Sequence, residues 1–505
     1  MYSKSNLEAI LEKIVKNLNI PETRYEQAEK SYKSISEWLN RENSSVINTQ
    51  AQIYPQGSFR LGTVIKPITE NDEYDIDLVC NLELSKKTIS QRELKIDIGE
   101  EIKAYANEHG MIKEPEEGKR CWTLNYADGA QFHVDILPTV PNGNEFKLLL
   151  ESKGYKNNYS DSSIAITDNT HPNYEKITDD WYCSNPKGYA DWFKERMKVQ
   201  YENEKHILME KYSASIEQIE EYKVKTPLQK VIQLLKRHRD IMFQEDQDDK
   251  PISIIITTLA AHAYNNEHNL VDAYINIVNR MESFITSKEN AYWVENPVNP
   301  LENFADKWDS NPKRMENFFK WINQVKIDIS KSLEEEFIDT VEKYKITYGE
   351  KIINESVREL QFKSDSQNSI LGNLIINNSL SHRKKPKWQM INYGDISITT
   401  YLVKNGFQDY KLKGDEVIEK KCELRFEAKT NIEKPYKIYW QVTNTGKEAE
   451  QANCLRGDFY DGILEKGKLV RKEDTLYTGK HLVECFVVKN GACVAKSGEF
   501  VVNIK

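Results

Sequence analysis

The sequence has no CxxC pair. Its seven cysteines are odd in number and irregularly spaced, which argues against both a disulfide framework and a cysteine-built zinc site. A reducing cytoplasm fits that usage best. Nor does any apolar run approach the roughly 18 residues of a membrane span, so no membrane association is expected. The opening stretch, MYSKSNLEAILEKIVKNLNI, is amphipathic and too charged for a signal peptide. An excess of positive charge is missing as well. Lys and Arg number 70 against 79 Asp and Glu, for a net charge of -9. Bulk nucleic-acid binding is therefore not expected, since phosphate backbones call for a basic footprint. No internal repeat is visible.

What is present divides the 505 residues into stretches of different texture. Residues 1–50 read as helices, with Leu7, Ile10, Leu11 and Ile14 at helical spacing. Residues 51–185 carry strand signals around one amphipathic helix that ends at Gly110. In that stretch RCWTLNYADGAQFHVDILP reads as two β-rich runs joined by Ala-Asp-Gly, a hairpin. Residues 186–360 are mostly helical, and the polar stretch 361–391 reads as a linker. Residues 392–505 hold short alternating runs separated by Gly, Asn and Asp, the pattern of a β-sandwich.

Within YPQGSFRLGTVIKPITENDEYDIDLV, two aspartates lie one residue apart in an apolar run. Side chains alternate on a strand, so Asp75 and Asp77 share a face, about 6.8 Å apart along it. Two carboxylates beside a core repel and lose hydration. A cation relieves both costs, and Mg²⁺ accepts carboxylates together with substrate phosphates. A pair of metals would clamp a phosphoryl transfer, and Asp135 in FHVDILP supplies a third carboxylate. Gly57 and Ser58 then form a phosphate cradle, which Gly62 and Thr63 extend. Taken singly, a DxD is most often a solvated edge and a Gly-Ser pair means nothing. The ordered set is far more specific.

This set resembles the nucleotidyltransferases of the DNA polymerase β superfamily, and more narrowly the bacterial cyclic GMP-AMP synthase-like enzymes (the SMODS, or CD-NTase, group). The resemblance rests on QGSFRLGT at 56–63, EYDIDLV at 73–79, HVDILP at 133–138, SNPKGYADWF at 184–193, TPLQKVIQLLKRHRD at 226–240, ISIIITTLA at 252–260 and NPVNPLENFADKW at 296–308. It implies an α+β fold: a polymerase β-like module with a mixed sheet plus a helical bundle. It also implies synthesis of a cyclic di- or oligonucleotide from NTPs, ATP and/or GTP, with release of pyrophosphate. Two Mg²⁺ ions (or Mn²⁺) on Asp75, Asp77 and Asp135 follow from it, with Gln56, Gly57, Ser58, Lys236 and Ser253 on the nucleotide. It further implies a separate effector protein activated by the product, in bacterial antiphage (CBASS) signalling. Two other readings share the residues: nucleotide transfer to RNA or protein, and a nucleotide sensor without turnover.

The helical half adds detail. Thr226 is a plausible N-cap with Pro227 at the first helical position. Leu228, Val231, Ile232, Leu235 and Met242 form one stripe. On a wheel at about 100° per residue, Arg239 falls inside the stripe and needs an internal partner. Lys236 sits at its edge, placed to reach a cleft. Arg237 points away and reads as solvated. ISIIITTLAAHAY is apolar nearly all round, hence buried, with Pro251 and Ser253 in its first turn, where anions are favoured. Its His262 reads as a core histidine. Tyr189 and Trp192 are either base-stacking platforms or plain core.

The stretch 392–505 resembles the adenylyl/guanylyl and SMODS C-terminal sensor domain, through Trp440, Asn444, Gly446, Arg456, Gly457, Tyr477, Gly479 and His481. That resemblance implies a nucleotide or other small ligand there. Arg456 beside Gly457 either holds an anion or simply turns the chain.

Overall fold

The computed structural model describes residues 4–69, 74–126, 132–212, 223–335, 337–364, 382–384, 386–391, 393–403, 409–412, 416–465 and 468–505. Contacts divide the chain into two units, residues 1–360 and 361–505.

The first unit opens with helices α1 (Lys4–Leu18) and α2 (Glu22–Leu39). Leu7, Ile10, Leu11 and Ile14 are fully buried, as their spacing requires. A mixed sheet follows, in the order β1 (Gln52–Pro55), β2 (Tyr74–Asn81), β5 (Phe132–Pro141), β4 (Trp122–Asn125) and β3 (Glu116–Glu117), and β6 (Ile164–Ile166) joins β5 to β7 (Tyr182–Ser184). The pair β2–β5 is parallel, while β4–β5 is antiparallel. The Ala-Asp-Gly turn between those last two strands lies outside the described residues. Helix α4 (Gln91–Glu108) starts on a Ser90–Glu93 capping box, and Gly110 follows it at φ +62°. It packs on one sheet face through Leu94, Ile98 and Ile102. That leaves the opposite face free for chemistry.

After α5 (Gly143–Ser152) and the long α6 (Pro186–Tyr212), helices α7 (Pro227–Met242), α8 (Ser253–Ala263) and α9 (Leu270–Arg280) form a bundle. α7 begins as read: Thr226 and Gln229 form a capping box and Pro227 stands in the first turn. The region also holds two small β-ribbons, at Thr286–Lys288 with Ala291–Trp293 and at Glu295–Asn296 with Asn299–Asn303.

The second unit packs a seven-stranded and a five-stranded sheet. Phe426, from one sheet, and Trp440, Cys485 and Val502, from the other, belong to one buried cluster. Most of the stretch read as a linker, residues 365–381, lies outside the described residues. A helix runs on to Ser364, and Arg383 is built into the sandwich through Gln441, Glu484 and Glu499. Arg456 is also spoken for. It pairs in bidentate fashion with Glu473, at 2.7 and 3.2 Å.

Candidate active site

Strand β2 alternates: Ile76 and Leu78 face the core, while Asp75 and Asp77 face the other way. On the neighbouring strand His133 stands opposite Asp75 and Asp135 opposite Asp77. The three carboxylates predicted from sequence are therefore brought to one face of two adjacent strands. Burial, followed by repulsion from Asp135 and Asp75, pushes the Asp77 carboxyl up to about 6.

Gly57 fixes the wall above them. The amide of Gln56 donates to the Asp77 carbonyl at 2.8 Å. Gly57 then adopts φ +61° and opens the short helix α3 (Gly57–Arg60). A β-carbon on Gly57 would meet the Asp77 carboxylate, so glycine is what allows the backbone this close. Gly57, Ser58, Asp75, Asp77, Lys236 and Ser253 line one cavity of about 440 Å³. A larger cavity, about 520 Å³, lies beside Tyr25, Phe59, Arg60 and Tyr201, but its lining includes none of the three aspartates. Chemistry rather than size marks the candidate site.

Helix α7 forms the far wall. Lys236 is buried and donates to the carbonyl and hydroxyl of Thr63, at 3.2 and 3.1 Å. Burial first, and Arg239 second, lower its ammonium to about 7, and Asp240 and Asp77 oppose them. Thr63 thus holds Lys236, while the Gly62 carbonyl accepts from Lys225. Arg237 corrects the reading made from the helical wheel. It is buried, not solvated, and its guanidinium donates to the carbonyls of Lys66 and Pro67. The reason is the segment 61–67, which runs along α7 on that side. Gln229 and Gln233 bond the carbonyls of Leu61 and Val64, and Lys225 bonds that of Gly62. A wheel treats one helix alone and cannot show such a strap.

Arg239 has the internal partners its position demanded: Asp240, the Pro251 carbonyl, and the hydroxyl of Ser253 at 2.9 Å. Ser253 is the first residue of α8, and Ile252 is its N-cap; Pro251 therefore lies before the helix, not in its first turn. His262 stacks on Phe284. Tyr189 and Trp192 are buried, with the Tyr189 hydroxyl bonded to Thr258. Neither lines the carboxylate cavity.

Three pairings escaped the sequence reading. Thr63 positions Lys236, Arg239 reaches Ser253, and His133 Nε2 lies 3.2 Å from Asp75 Oδ1. All depend on pairings between distant segments, which no local pattern signals. Among the described residues no three His, Cys, Asp or Glu side chains close into a ready-made metal cluster. Asp75 turns to His133, and Asp135 accepts a hydrogen bond from Thr123 at 2.5 Å. The donor set is nevertheless one of hard oxygens on one face, with its charges crowded enough to raise Asp77. That suits Mg²⁺ or Mn²⁺ rather than a soft metal.

The chain is similar to known proteins. The profile of the Second Messenger Oligonucleotide or Dinucleotide Synthetase domain matches residues 6–162. That of the Adenylyl/Guanylyl and SMODS C-terminal sensor domain matches residues 378–505. The c-di-GMP synthase of Roseivirga ehrenbergii is 30% identical over 326 residues, which is 64% of this chain and 78% of that protein. The cyclic dinucleotide synthase CdnG of Bradyrhizobium diazoefficiens is 23% identical over 366 residues, covering 70% and 82%. The solved structure of the Bradyrhizobium CD-NTase CdnG with GTP superposes with a TM-score of 0.54 at 19% identity, covering 70% of this chain and 99% of that one. It shares the fold. No described helix is long and apolar enough to cross a membrane.

Proposed function

Because the chain belongs to the CD-NTase family of nucleotidyltransferases, we propose that it joins NTPs into a cyclic di- or oligonucleotide and releases pyrophosphate. One observation carries the reading: Asp77 and Asp135 stand opposite each other on parallel strands, with Asp75 on the same face, beneath the Gly57–Ser58 turn. Asp75, Asp77 and Asp135 would hold two divalent ions, Mg²⁺ or Mn²⁺. Bound there, these would lower the pKa of the attacking ribose hydroxyl and neutralise charge on the transferring phosphoryl group.

The chain's own groups do the rest. Backbone N–H groups at Gly57 and Ser58 receive donor phosphate oxygens. Lys236 adds a cation whose charge strengthens as phosphate approaches. The Ser253 hydroxyl already accepts from Arg239, so its proton is free to donate to phosphate. No side-chain general base is required if the ions acidify the hydroxyl. The product acts on a separate effector protein in antiphage signalling. A small ligand of the sandwich unit would occupy its cavity of about 220 Å³, lined by Phe426, Val483, Tyr477 and His481.

The test is incubation of the purified protein with all four labelled NTPs and Mg²⁺ or Mn²⁺, followed by phosphatase, chromatography and mass spectrometry. A phosphatase-resistant cyclic species is expected and names the bases. A linear product or a labelled macromolecule would replace this reading by nucleotide transfer. Tight NTP binding without pyrophosphate release would replace it by a sensor.

A further inference from the structure

We propose that Thr123 is a positioning residue for Asp135, holding that carboxylate in the orientation from which it binds a divalent cation. The inference rests on the nucleotidyltransferase reading and adds a residue to it. Strand β4 lies on the side of β5 away from β2, and its antiparallel register sets Thr123 opposite Asp135. The parallel register of β2 sets Asp77 opposite the same Asp135. Thr123, Asp135 and Asp77 therefore form one row across three strands. Trp122 and Leu124, on either side of Thr123, are buried in the core beneath the sheet, which leaves Thr123 on the carboxylate face.

The Thr123 hydroxyl donates to Asp135 Oδ1 at 2.5 Å. A bond that short, from a hydroxyl to a carboxylate, is of the strong, charge-assisted kind. Threonine is branched at Cβ and stiff about χ1, so the donor itself is held in place. The bond takes one acceptor site on Oδ1 and restrains the carboxylate, whose remaining acceptor sites stay available for a cation. Without it, Asp135 would face Asp77 with repulsion as the dominant guide. Carboxylates that bind metal are commonly held by such a neighbour, and its removal typically costs about 10–100-fold in affinity or activity.

Thr123→Val keeps the shape and deletes the donor, whereas Thr123→Ser keeps the donor. Manganese binding is read by electron paramagnetic resonance with a non-hydrolysable NTP analogue, and pyrophosphate release is titrated with Mg²⁺. Thr123→Val should weaken Mn²⁺ binding about tenfold or more. It should raise the Mg²⁺ requirement and lower kcat, with the KM for NTP little changed. Thr123→Ser should stay close to wild type. In an Asp135→Asn background, adding Thr123→Val should change Mn²⁺ affinity no further. That comparison also separates positioning from a general loss of fold. Unchanged Mn²⁺ binding and kcat in Thr123→Val would overturn the proposal, as would equal losses in the Val and Ser variants. Wild-type protein that binds no Mn²⁺ would overturn the metal reading itself, and this inference with it.

Discussion

A β-carbon placed on Gly57 would lie 2.6 Å from Oδ2 of Asp77. Gly57 also holds φ +61°, a conformation that costs other residues about 1–2 kcal/mol. Gly57→Ala should therefore lower kcat by about 10²-fold, since misplacing reacting groups by about 1 Å has that effect. The melting temperature should fall only slightly. Pyrophosphate release and a thermal melt check both, and a fully active variant would show that the contact is not needed.

Lys236 predicts a pH signature. Its folded value of about 7 lies below the 10.5 of an exposed lysine. The sign follows from linkage. The burial penalty is full below about pH 7, shrinks as pH rises, and is gone above the unfolded value. Lys236→Met should raise the melting temperature most at or below neutral pH, with a gain that fades toward pH 10. Bound triphosphate should restore the ammonium, so NTP binding should take up a proton, approaching about one per site near pH 8. Calorimetry in buffers of different ionisation enthalpy measures the uptake. The methionine variant should show none and should bind NTP weakly.

Arg237 predicts a loss of stability. Its buried guanidinium holds the carbonyls of Lys66 and Pro67, and hydrogen bonds to a charged group are worth about 1.5–3 kcal/mol each. Arg237→Ala should destabilise the first unit by about that amount or more in chemical denaturation.

Ser253 predicts an effect on binding without an effect on folding. It is half-buried and is not the helix cap. Ser253→Ala should raise the KM for NTP about tenfold, the loss of one good hydrogen bond, and leave the melting temperature nearly unchanged. An unaltered KM would remove Ser253 from the phosphate site.

The contrast between Asp77 and Thr63 shows what could be read from the chain alone. A DxD in an alternating run sets two carboxylates on one face whatever else happens, and HVDILP could only be a strand. The helix stripe, the Thr226 cap and the sandwich texture are equally local. Thr63 was legible only as part of a phosphate cradle and Arg237 only as surface, because their pairings come from a strap laid along a helix about 170 residues away in sequence. Thr123 was invisible for a related reason: its partner is set by register, and register belongs to the sheet.

The candidate site draws on Gly57, Asp77, Asp135, Lys236 and Ser253, and its two central carboxylates meet through a parallel pairing of β2 with β5. Parallel strands cannot pair by a tight turn, and contacts between distant segments form slowly. During synthesis, a chain that stops short of α7 has neither Lys236 nor Ser253 opposite the aspartates. On the proposed function, the nucleotide pocket is complete only once α7 and α8 have left the ribosome.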